Sequence, residues 1–124
     1  MDTFALIAQE RRRLADVLDT IAPDDWDGPS LCAGWSRRVV AAHLNAPWEV
    51  GLPTVILQIA RSFGSIDKAF DTVAKDLARR LTPEQSIAGL RANAEHRFTP
   101  PGSGAEAPLT DVLVHGADIL HPLE

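Results

Sequence analysis

Apolar side chains recur along this chain at steps of three and four residues, and no pair of stretches reads as neighbouring strands. Phe4, Ile7, Leu14, Leu18 and Ile21 mark a helix from about Thr3 to Ile21, which Pro23 ends. Asp24 to Gly34 is loop by its chemistry, with Asp-Asp, Gly28-Pro29 and Ala33-Gly34. A second helix starts after Ser36 as N-cap. On it Val39, Val40, His43 and Leu44 share a face with Ser36 and Pro47, and Arg38, Asn45 and Glu49 lie opposite. Pro47 has no N–H to offer the carbonyl of residue 43, so a kink is predicted at the histidine. An apolar segment runs from Thr54 to Phe63, and Gly64-Ser65 breaks the chain before a helix over Ile66 to Leu81, with Ala69, Phe70, Val73 and Leu77 on its apolar side.

Thr82-Pro83-Glu84-Gln85 predicts a helix start with a capping box, and Ile87, Leu90 and Ala94 carry that helix toward His96. Thr99 to Pro108 is rich in Pro and Gly and reads as a flexible connection. The last helix is predicted from Leu109 or Thr110 to about Leu120, with Pro122 stopping it. Together these elements predict an all-α four-helix bundle with an extra helical segment between the second and third main helices.

Composition narrows the function classes. With 124 residues, 45% of them hydrophobic, the chain suits one domain with a real core. A net charge of −5 argues against non-specific attraction to nucleic acid or anionic lipid, and Arg11-Arg12-Arg13 reads as a solvated helix face. No signal peptide or membrane span is legible, so a cytoplasmic protein is expected. The lone Cys32 excludes an internal disulfide and a cysteine-based zinc finger.

His43 occupies the centre of an apolar face. Buried there, an imidazole needs partners for its ring nitrogens or costs about 1–3 kcal/mol. It reads equally as a core histidine satisfied by a carbonyl or water and as a ligand. In Asp111-Val-Leu-Val-His115-Gly-Ala-Asp118 a spacing of four stacks Asp111 and His115 on one face. With His43 from a facing helix they complete a two-histidine, one-carboxylate set that suits catalytic zinc with a fourth position open. The bland alternative is that Leu109, Val112, Leu113, Gly116 and Leu120 form the buried stripe and that Asp111, His115 and Asp118 face solvent. His96 reads as structural at a helix end, His121 as exposed, Cys32 as an inert thiol, and Trp26 and Trp35 as packing. No nucleophile elbow, phosphate loop or dinucleotide fingerprint occurs.

The stretch Ser30-Leu-Cys-Ala-Gly-Trp-Ser-Arg-Arg-Val-Val-Ala-Ala-His43-Leu resembles the T-x-C-x-G-W-[ST]-x-R-D-V-V-A-H-L signature of mycothiol-dependent maleylpyruvate isomerase-like proteins, a branch of the DinB-like helical-bundle metalloenzymes. The tail from Pro108 to Leu123 is similar to that family's second signature, acid-x-x-x-His-Gly-x-Asp-Ile-x-x-Pro-Leu-Gly. Asp118, one turn beyond His115, reads equally as an acceptor that orients an imidazole and as a capping or solvent-facing residue. The resemblance implies a DinB-like four-helix bundle holding one divalent metal, usually zinc, on His43, Asp111 and His115. It also implies mycothiol as co-substrate: the metal ionises the thiol, which attacks a small electrophile such as a maleylpyruvate-type acid. Loss of the thiol then gives isomerisation, and retention gives S-transfer. The partners so implied are a small-molecule substrate and the thiol, with a homo-oligomer left open. The alternative is a non-enzymatic helical scaffold or interaction domain, with or without a structural metal. The chain departs from the family pattern in having Asp111 for Glu and Val39 for Asp. It also stops at Leu123-Glu124, where such proteins continue, so a missing C-terminal part is expected, and the Leu-Glu end reads as a possible vector scar.

Overall fold

The computed structural model describes residues 2–100 and 102–123. Among them the chain forms seven α-helices: α1 (Thr3–Leu18), α2 (Arg37–His43), α3 (Ala46–Glu49), α4 (Leu52–Arg61), α5 (Ile66–Arg80), α6 (Pro83–Ala92) and α7 (Glu106–Leu120). Two 3₁₀ turns, Pro23–Asp25 and His121–Leu123, carry the prolines that follow α1 and α7; α1 ends at Leu18, short of the expected Ile21 and before Pro23 is reached. No strand occurs among the described residues, and none of their helices is long and apolar enough to cross a membrane.

Side-chain caps set most helix starts. Asp2 accepts the Ala5 N–H at 2.8 Å, Ser36 that of Val39 at 3.3 Å, and Ser65 that of Lys68 at 3.3 Å. Thr82 and Gln85 form the expected capping box, each accepting the other's backbone N–H, at 3.1 and 2.9 Å. The last helix begins earlier than its sequence predicts. Pro108 lies inside the first turn of α7, where a missing N–H costs nothing, so the helix opens at Glu106 instead of Leu109.

Four helices close a ring: α1 packs on α6 and α7, and α2 packs on the same two from the opposite side. Leu14, Ala15 and Leu18 of α1, Val40 and Ala41 of α2, Ile87 and Leu90 of α6, and Val112 and Ile119 of α7 share one core with Trp26 and Leu44. The extra material between the second and third of these helices is larger than a single segment. It comprises α3, α4 and α5; α5 buries Val73 and Leu77 against Ala42 of α2, and α4 packs on α5. Phe70, assigned to the apolar side of α5, is largely exposed, as are Leu52, Ile56 and Leu57 of α4.

Three readings of individual residues need correction. Asn45, placed opposite the apolar face of a continuous helix, is fully buried. The helix does not merely kink: α2 ends at His43, Asn45 bonds back to Ala42 in a tighter turn, and α3 begins afresh around Pro47. That break rotates Asn45 inward. There its amide donates to the carbonyls of Ala41 and Ser86, both at 3.1 Å, and accepts the Trp48 indole N–H at 2.8 Å. Arg11, read as solvated, is 4% exposed. Its Nη1 donates to the carbonyls of Asn93, Ala94 and His96 in the turn that follows α6, giving partners to backbone acceptors buried with it. On α7 the buried stripe is Pro108, Val112, Gly116 and Ile119, and Leu113 is exposed. The stripe is thus turned from the predicted one, and Asp111, His115 and Asp118 flank it.

Candidate metal centre

His43 closes α2, and Asp111 and His115 lie one turn apart on α7, the helix packed against it. Asp111 Oδ1 is 3.7 Å from His43 Nε2 and 3.4 Å from His115 Nε2. One donor atom from each of the three falls within 4.8 Å of the others, the one such group of histidine, cysteine and acidic side chains among the described residues. Ligands at 2.0–2.2 Å from a tetrahedral zinc lie about 3.3–3.6 Å from each other. The two carboxylate–imidazole distances therefore match, or nearly match, the edges of such a site.

The proton inventory adds a stronger constraint. His115 Nδ1 lies 3.0 Å from Asp118 Oδ2, and a carboxylate only accepts, so Nδ1 carries the proton. In the neutral ring Nε2 then presents its lone pair toward Asp111 Oδ1. Two electron-rich atoms facing each other repel unless a proton or a cation lies between them. A second proton on His115 would serve that pair alone. A cation would serve His43, Asp111 and His115 together, so the donor set fits a divalent metal.

The site is partly buried, which the solvent-face alternative does not anticipate. The side chains of His43, His115 and Asp118 are 22%, 20% and 18% exposed, and Asp111 is the most open at 37%. The two imidazoles meet edge to face with centroids 4.9 Å apart. Trp35 covers them, its ring 5.1 Å from His43 and 6.3 Å from His115. Trp35 is held by a tight loop. Ser30 Oγ donates to the Trp35 carbonyl at 2.8 Å and accepts the Cys32 N–H at 3.0 Å. Gly34 takes a positive φ of 81° that other residues rarely adopt. Leu31 N–H donates to the Asp118 carbonyl at 3.0 Å, tying this loop to α7.

A family model for the mycothiol maleylpyruvate isomerase N-terminal domain matches residues 7–99. The chain belongs to that family. The match spans His43 and Trp35 and stops before α7, so Asp111 and His115 enter the site on geometry alone. No curated protein and no solved structure matches the chain.

The remaining histidines of this family member lie elsewhere. His96 accepts the Phe98 N–H on Nδ1 at 3.2 Å and packs 5.5 Å from Trp48, in keeping with a structural role. His121 is exposed in the final 3₁₀ turn. Burial, then the carboxylates of Asp118 and Asp71, push the Cys32 thiol above its ordinary value, so it stays protonated. The sequence gives little warning of two participants. Trp35 packs against the core as expected and also lies against both imidazoles, for which its place in the Gly-Trp-Ser stretch is the available hint. Asp71, on α5, accepts the Trp35 indole N–H at 2.8 Å, and nothing in its local sequence marks it.

Proposed function

We propose that this chain holds one divalent cation, zinc by the character of its donors, on His43, Asp111 and His115, and serves a thiol-dependent isomerase or S-transferase. The co-substrate is a low-molecular-weight thiol, mycothiol, and the second substrate a small electrophile such as a maleylpyruvate-type acid, in a cytoplasmic setting. One observation carries the reading: two imidazole nitrogens from separate helices face a single carboxylate oxygen at 3.4 and 3.7 Å. Family membership supports the thiol and the substrate class.

Each side chain has a definable task. Three protein donors leave a fourth position for an incoming ligand, the pattern of catalytic sites rather than closed structural ones. A cation held there would ionise a coordinating thiol at neutral pH and orient the electrophile beside it. Asp118 fixes the tautomer of His115, leaving Nε2 free to donate its lone pair. Trp35 shields the imidazoles from water on one side. Asp111, the most exposed of the three, marks the side from which small molecules arrive. Cys32 stays a thiol and does not compete as nucleophile.

Metal analysis of protein purified without added zinc, repeated on His43→Ala, tests the centre. About one equivalent in the parent and a large loss in the variant is expected; equal content in the two returns the chain to a helical scaffold. For the reaction, consumption of maleylpyruvate by the metal-loaded protein should accelerate when mycothiol is added. No acceleration would remove the thiol-dependent activity and leave the metal site standing.

A further inference from the structure

The hydrogen bond from Trp35 to Asp71 joins the inserted helix α5 to the wall of the metal centre. Asp71 Oδ1 takes the indole N–H at 2.8 Å, and Oδ2 receives Lys75 Nζ at 3.1 Å. One carboxylate therefore anchors both a cationic side chain on its own helix and the aromatic roof of the site. A partly buried indole N–H without an acceptor is costly, and the ring would shift to find one. Any such shift is transmitted, because Trp35 is in ring contact with both His43 and His115. Metal affinity is sensitive to imidazole orientation, and outer contacts that set it change affinity by about 10–100-fold when removed.

We infer that Asp71 is a positioning residue for the metal centre: by holding the Trp35 indole it sets the orientation of the two imidazoles, so the α4–α5 insertion tunes cation affinity from outside the ligand set. His115 is already fixed on its other nitrogen by Asp118, whereas among the described residues the His43 ring makes no hydrogen bond and only approaches Asp111 at 3.7 Å. His43 is thus the ring that depends most on Trp35. The inference rests on the metal reading above for its consequence, while the positioning itself is a property of the metal-free chain.

Two measurements separate these layers. In metal-free protein, ring ¹⁵N and ¹³C NMR signals of His43 and His115 should move in Asp71→Ala and Trp35→Phe, with those of His96 unmoved. Zinc titration by calorimetry should then show about tenfold weaker binding for Asp71→Ala and for Trp35→Phe, with Asp71→Asn, which keeps an acceptor oxygen, close to the parent. The double variant should bind no more weakly than either single one, because both remove the same bond. Additive losses, or an Asp71→Asn as weak as Asp71→Ala, would overturn the positioning role. Unmoved histidine signals would overturn it even if zinc binds. Shifted signals in a protein that binds no zinc would retain the positioning and discard the metal reading.

Discussion

His115 Nδ1 and Asp118 Oδ2 stand 3.0 Å apart, three residues along α7, and this contact decides which nitrogen of the imidazole faces Asp111. With Nδ1 engaged, Nε2 is left toward Asp111 and His43. The bond costs little to form because both residues already occupy the same rigid helix.

Removing it should therefore act on the metal more than on the fold. Asp118→Ala is expected to weaken zinc binding by about 10–100-fold, with its urea midpoint in the absence of metal nearly unchanged. Asp118→Asn, which preserves an acceptor, should lose less. Calorimetric titration of the two variants side by side checks the order.

Zinc should also stabilise the fold, since the proposed ligands come from α2 and α7 and converge only when those helices are packed. At free zinc about 100-fold above the dissociation constant the gain is about 2.7 kcal/mol. Thermal melts should rise with zinc, fall back with chelator, and show no rise in His43→Ala. A rise of equal size in that variant would place the cation elsewhere.

The contact of α6 with the segment after α2 depends on the absence of a side chain at Gly89. A Cβ there would fall on the Asn45 amide oxygen, which accepts the Trp48 indole and sits on a fully buried side chain. Gly89→Ala should thus cost about 1–3 kcal/mol through steric overlap and a disturbed buried hydrogen bond. An exposed helical site would instead gain from the same change. Equilibrium unfolding in urea gives the sign directly.

Asp71 adds a pH dependence. The Trp35 hydrogen bond first, then Lys75, hold its carboxyl below the ordinary carboxylate range, with the partial burial opposing. A folded value below the unfolded one means stability that is present above about pH 4 and lost as pH falls through the folded value. The gain is modest because the side chain is 43% exposed and solvent screens it. Asp71→Asn should be slightly less stable than the parent near neutrality, the difference shrinking as pH falls through the depressed folded value. Urea midpoints across this range provide the check.

Helix positions were legible because they are local properties. The Thr82–Gln85 box, the Ser36 cap and the three-and-four spacing of Ile7, Leu14 and Leu18 need only neighbouring residues, and the structure places helices on all of them. Spacing also paired Asp111 with His115, since a four-residue step on one helix fixes their approach. Longer-range readings failed for identifiable reasons. Arg11 belongs to a run of three arginines, and only the arrival of the α6 C-terminus beside it turns it inward. Asn45 changed sides because a break at residue 43 resets the phase of everything after it.

The amino-acid order determined an all-α chain, the main helix starts, and the presence of a histidine in an apolar face and an acid–histidine pair on a later helix. Tertiary structure alone decided that α2 and α7 pack side by side, that the polar edge of α7 meets His43, and that Trp35, held by Asp71, lies against both imidazoles. Backbone periodicity depends on bonds within a few residues, whereas convergence depends on how whole helices rotate to bury their cores. A turn of α7 small enough to exchange Leu113 for Ile119 in the interior is what separates a solvated face from a site.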